Sequence, residues 1–224
     1  MMDWDPLILT FKLAFVTTVL LFLLSIPLAY WLVRSRSRIK PVIETLVSMP
    51  LVLPPTVLGF YFLVAFSPGN AFGSWLNEWL GLKLVFSFTG LVVASVIYSL
   101  PFMVHPIQAG LSGLDSNLSE AAYVLGKSQW TTLLKVELPN IKKSLLTGIV
   151  LAFAHTVGEF GVVLMIGGSI PGKTKVASIA IYEEVEALNY GAANRYSIIL
   201  FILTFCILLM VYLVNGGYIK RFLR

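Results

Sequence analysis

The chain alternates between long apolar runs and short polar connections. Apolar runs cover residues 7–33, 42–66, 84–107, 145–166 and 196–214. A helix rises about 1.5 Å per residue, so about 20 apolar residues cross ~30 Å of hydrocarbon, and each run is near or beyond that length. The pattern predicts an all-α polytopic membrane protein with about five transmembrane helices, in a single domain over residues 1–224. The first run is too long for a signal-peptide core, and residues 1–5 carry acids rather than a basic start. It therefore reads as a retained span. Lys12 can snorkel from it to the nearer interface.

The longest polar interruption, at about residues 110–143, has its own internal pattern. Asp115 and Ser116 supply N-capping chemistry, and Glu120 is expected to favour the positive helix end. Ala121 and Ala122 are small and helix-favouring, which lets a partner surface approach the backbone. Gly126 is expected to end this first short helix in a left-handed conformation. Ser128 can cap a second helix through Trp130 and Leu134, with Pro139 as its stop. Two short helices joined at a glycine make a rigid knob for another protein to grip, not a catalytic pocket.

Composition agrees with the spans: 58% of residues are hydrophobic and 12% charged, far from a soluble domain. The single cysteine, Cys206, lies in an apolar run, which excludes a disulfide framework and a Cys-rich metal site. A net charge of +5 raises the question of nucleic acid, but the cations collect at the ends of apolar runs. Arg34, Arg36, Arg38 and Lys40 form one group, Lys127, Lys135, Lys142 and Lys143 a second, and Lys220, Arg221 and Arg224 a third. The opposite connections carry only Lys83, Lys173, Lys175 and Arg195. This imbalance predicts the N-terminus outside, the C-terminus in the cytoplasm and the 110–143 loop inside. No nucleic-acid partner is expected; membrane lipid is.

Polar or helix-breaking residues interrupt three spans. In the second, Pro50, Pro54 and Pro55, followed by Thr56, forbid an ordinary straight helix. The break is either a kink buried among neighbours or a lining of the pathway. Pro101 and Pro106 predict a milder kink in the third span, where His105 reads as an interfacial or hydrogen-bonded histidine. In the fourth, His155 and Glu159 stand four apart and are expected to share a helix face and to pair. With no further ligand nearby, a metal site is incomplete. Gly158 and Gly161 are expected to admit another helix closely. Pro54, Pro55, Thr56, Gly158, Glu159 and Gly161 are thus the candidate pathway or gate residues.

One stretch satisfies a phosphate-loop pattern: Gly167, four residues, then Gly172, Lys173 and Thr174. That motif works only between a strand and a helix of an α/β domain, and a membrane span precedes it here. An external turn is the better reading. Residues 177–188 then suit an amphipathic segment lying in the interface.

Glu120, Ala121, Ala122, Gly126, Val136, Leu138 and Pro139, in that spacing, resemble the cytoplasmic coupling loop of ABC importer permeases. Val136 stands where isoleucine is more usual. Residues 50–55, Gly158 to Gly161, and Ile170 to Thr174 flank that loop in order. Over nearly the whole chain this is similar to the permease subunit of bacterial molybdate ABC importers. Lys173 departs from the glutamate expected there, and sulfate and tungstate permeases are similar as well.

The resemblance implies a type I ABC importer permease fold with cytoplasmic coupling helices, in the bacterial inner membrane. It implies a second copy of the chain, cytoplasmic ATPase subunits, and a periplasmic or lipid-anchored oxyanion-binding protein. ATP and Mg would be held by the ATPase partner, so this chain would carry no cofactor and no catalytic residue. The rival readings are a membrane-embedded enzyme, a self-contained ATPase or a passive channel. The first two lack the required polar groups or nucleotide domain. A channel has no use for a partner-binding loop.

Overall fold

The computed structural model describes residues 3–215, and every regular element among them is helical. Lys220, Arg221 and Arg224, counted above as orientation charges, lie outside the described residues. Helix α1 spans Asp5–Arg34, and Pro6 in its first turn fits there because that amide has no intrahelical partner. Helix α2 spans Lys40–Ser48 and continues through a 3₁₀ turn at Met49–Leu51. Pro54 and Pro55 then redirect the chain into α3, Pro55–Phe66, bent by 112° from the preceding segment. The second apolar run is therefore a broken pair rather than one span, and the bend far exceeds a kink.

Helix α4, Ala71–Leu80, lies in a connection for which no element was expected. Its sequence signal was present: Asn70 caps it by accepting from Phe72 N, and Gly81 closes it. Helix α5, Phe88–Ser112, is capped by Ser87 and runs through Pro101 and Pro106 as one element, further along the chain than expected. His105 Nε2 lies 3.3 Å from Ser48 Oγ, as a hydrogen-bonded histidine should.

The polar interruption holds α6, Ser116–Val124, α7, Gln129–Thr132, a π turn at Leu133–Glu137, and α8, Leu138–Asn140. Helices α9, Lys142–Val157, and α10, Gly161–Gly167, are a second broken pair, bent by 58°. Helix α11, Ala177–Glu186, packs on α1 and α12, with Ala177, Ile179 and Ala180 buried. It is an integral part of the bundle rather than a segment lying free in the interface. Helix α12 spans Tyr190–Asn215 and is almost wholly exposed along its apolar length. Three unbroken helices and two bent pairs thus account for the five apolar runs.

The centre is α1 packed along α5 and α9. Towards the C-terminal end of α1, Leu32, Met103, Ile107, Leu111, Leu133 and Ala152 form one core. Towards its N-terminal end, Leu13, Leu91, Val162, Val163, Ile166 and Ile179 form another. The two ends of α1 meet different surfaces. Thr10 Oγ1 accepts from Ala177 N at 2.8 Å, while Arg34 reaches the 115–140 hairpin. The stretch of helix from Thr10 to Arg34 holds these surfaces about 36 Å apart.

Candidate functional site

The hairpin is built by local chemistry. Asp115 accepts from Asn117 N, satisfying an amide at the start of α6. At the other end Lys127 N donates to Ala122 O and Gly126 N to Tyr123 O, the paired bonds of a Schellman ending. Gly126 has φ +72°, the left-handed conformation expected of it. Ser128 caps α7 by accepting from Thr131 N. Glu120 departs from its expected place: it is the fifth residue of α6, past the first turn where the helix dipole acts. Pro139 departs too. Instead of stopping the second arm it follows a π turn, in which Leu138 N donates to Leu133 O. The wider turn accommodates a ring that has no amide to give.

The hairpin sits on the body through Leu133 and Ile141, which join Leu32 and Leu111 in the core. Trp130 stacks on Tyr30 of α1 at 6.5 Å between ring centroids. Ala122 is buried against its own chain, so it does not meet a partner directly, and Val136 and Leu138 are half-buried. Glu120, Ala121 and Pro139 face outward. Beside them Val124 and Leu125 are 87% and 74% exposed, with Trp130 and Leu134 also open. Exposed Arg36, Arg38, Lys127, Lys135, Lys142 and Lys143 mark this end as a watery surface. An exposed apolar patch set among charges is the signature of a protein-docking face.

Three residues beneath the hairpin escaped the sequence reading as site residues. Arg34 Nη2 donates to Ser119 Oγ at 3.1 Å and to Glu137 Oε1, and Ser119 Oγ donates to the same Oε1 at 2.6 Å. Arg34 and Glu137 are 103 residues apart, so no local spacing announces the pair.

A second constellation lies within the apolar runs. Helix α9 ends at Val157, so His155 and Glu159 do not share a helix face and do not pair. Glu159 Oε2 accepts from Ser95 Oγ at 2.8 Å, and its backbone carbonyl accepts from Ser178 Oγ at 2.7 Å. Ser99 Oγ lies 2.9 Å from His155 Nδ1, and the imidazole stacks on Phe102 at 3.9 Å. Gly161 does admit a neighbour: a Cβ there would stand 2.8 Å from that of Pro55. Gly158 meets only its own helix, so the close approach expected of it belongs to Gly161 alone. Pro55, Thr56, Gly158, Glu159 and Gly161 line one cleft of about 470 Å³ together with His155; Pro54 lies outside it.

The phosphate-loop pattern is closed on itself. Gly167 ends a helix rather than following a strand. Lys173 N, Thr174 N and Lys175 N all donate to Ile170 O, and Thr174 Oγ1 donates to Gly167 O. The amides of Gly168, Ile170, Lys173 and Thr174, which a phosphate would need, are thus already engaged.

Comparison with known proteins places this geometry. The family model described as binding-protein-dependent transport system inner membrane component matches residues 10–220. The molybdenum transport system permease protein ModB of Azotobacter vinelandii is 47% identical over 211 residues, covering 94% of this chain and 93% of that protein. A probable sulfate transport system permease protein of Zygnema circumcarinatum is 33% identical over 222 residues, covering 97% and 76%. Among solved structures, a bacterial ABC transporter that imports the acidic polysaccharide alginate has TM-score 0.79 at 17% identity, covering 95% and 78%.

Proposed function

The chain belongs to the inner membrane components of binding-protein-dependent transport systems, a family of non-catalytic transport subunits, and we propose that it is the permease of an ATP-driven importer of molybdate. The observation that carries the coupling role is the exposed apolar face of the hairpin, around Glu120, Ala121, Val124 and Leu125. A cytoplasmic ATPase subunit docks there and moves the hairpin as it binds and hydrolyses ATP. The cation groups at Arg34–Lys40 and Lys127–Lys143 support a cytoplasmic hairpin and an external N-terminus.

A second copy completes the pathway. Residues 52–54 are an irregular, largely exposed break within an apolar run, and such backbone persists at membrane depth only when protein or a water-lined cavity covers it. Two copies facing each other across Pro54, Pro55 and Thr56 supply that cover, and the cleft beside Glu159 becomes part of the gate. A binding protein delivers the anion from outside and does most of the selecting.

Molybdate is favoured over sulfate by the 47% against 33% identity of the two relatives. Uptake of labelled molybdate, tungstate and sulfate, in cells lacking the gene and in cells with it restored, tests the assignment. Restoration of molybdate uptake at the lowest concentration supports it; restoration of sulfate uptake alone replaces it.

A further inference from the structure

We propose that Arg34 is a positioning residue that fastens the hairpin to α1, so that a displacement of the hairpin moves the α1–α5–α9 layer as one body. The inference rests on the hairpin being the docking face for an ATPase subunit. Arg34 closes the last turn of α1. Ser119 belongs to the first arm of the hairpin and Glu137 to the end of the second, and one guanidinium nitrogen donates to both. Ser119 completes the triangle through its bond to Glu137 Oε1.

Both covalent links between the hairpin and the bundle pass through turns. Helix α5 stops at Gly113 and α9 begins after Ile141, so the helical ladder is interrupted in each. The apolar seat around Leu133 is strong but non-directional, which holds the hairpin down without fixing its register. A charge-assisted bond with a second donor on the same oxygen does fix it.

Glu137 is only 1% exposed, and its Oε2 has no partner among the described residues. A carboxylate removed from water is costly unless paired, and Arg34 supplies the pairing charge. From Arg34, α1 runs as one helix to Thr10, where it receives the amide of Ala177. It is a rod joining the hairpin to the opposite face.

The test uses the assembled complex with molybdate-loaded binding protein. Arg34→Met with Glu137→Leu replaces the ion pair by apolar side chains and leaves no orphaned charge. The double variant is expected to assemble, retain the ATPase subunit and keep basal hydrolysis. Stimulation of hydrolysis by loaded binding protein, and uptake, are expected to fall about tenfold, as for loss of a charged hydrogen bond. Ser119→Ala keeps the ion pair and is expected to lower the same stimulation about threefold. Wild-type stimulation in either variant overturns the inference.

A purely structural role is separated by the single change Arg34→Met, which orphans Glu137 and lowers thermal stability. Adding Glu137→Leu is expected to restore stability but not coupling; restoration of both makes Arg34 a fold residue only. Glu120→Lys addresses the docking reading itself. Full retention of the ATPase subunit and of coupling in that variant removes the docking reading and this inference with it. Coupled transport in the Arg34 variants removes the inference alone.

Discussion

Gly126 shows how much one backbone conformation can carry. A Cβ at this position would meet nothing within 4 Å, so a side chain is opposed by conformation alone. At φ +72° an L-residue costs about 1–2 kcal/mol, and a β-branched one more. Gly126→Val is expected to redirect α7 and weaken ATPase binding several-fold, while Gly126→Asn, which tolerates the conformation, stays close to wild type. Quantitative pull-down of the ATPase subunit distinguishes them. Glu183 offers a test by pH. Partial burial raises its pKa, but the Lys175 ammonium, 2.5 Å away, outweighs that and holds the carboxyl below its ordinary range. A depressed carboxylate contributes stability above its unfolded pKa and loses it as pH falls through the folded one. Glu183→Gln is therefore expected to lower thermal stability in detergent at neutral pH and to flatten the acid limb of the profile, so that variant and wild type converge at low pH.

Among the elements, legibility followed the range of the interaction. The hairpin could be read because its caps are local: Asp115, Gly126 and Ser128 each act within a few residues. The break between α2 and α3 could be read because Pro54 and Pro55 remove donors wherever they sit, whereas the break at residues 158–160 has no proline to announce it. Their angles could not, since 112° and 58° are set by what the segments pack against. The same limit explains the expected His155–Glu159 pair, which assumed a continuous helix where α9 ends at Val157. The two breaks interlock through Gly161 and Pro55, with Gly59 of α3 equally close to Met165 of α10. Gly161→Val is expected to force α3 away from α10 at about 1–3 kcal/mol. A lower melting temperature of the detergent-solubilised variant, with the ATPase subunit still bound at low temperature, is the expected result.

At the scale of the whole molecule, α1 separates the hairpin from the turn at residues 168–175. The phosphate-loop lookalike is therefore remote from the proposed docking face of the ATPase subunit. Lys173→Ala is expected to leave hydrolysis by the assembled complex within twofold of wild type. Abolished hydrolysis in an intact complex would reverse the topology. The succession of apolar helices was legible in the spacing of apolar runs, whereas the Arg34–Glu137 pair bridges 103 residues and was not.

Docking of an ATPase subunit on the hairpin stands or falls with Glu120→Lys. Glu120 is exposed and lies outside the apolar runs, so charge reversal leaves membrane insertion and bundle packing intact. Co-purification of the ATPase subunit with the solubilised permease, wild type against Glu120→Lys, is the measurement. A membrane-resident variant that has lost most of its ATPase subunit, and with it molybdate uptake, is the result expected. Wild-type recovery of the ATPase subunit together with wild-type uptake would contradict the account.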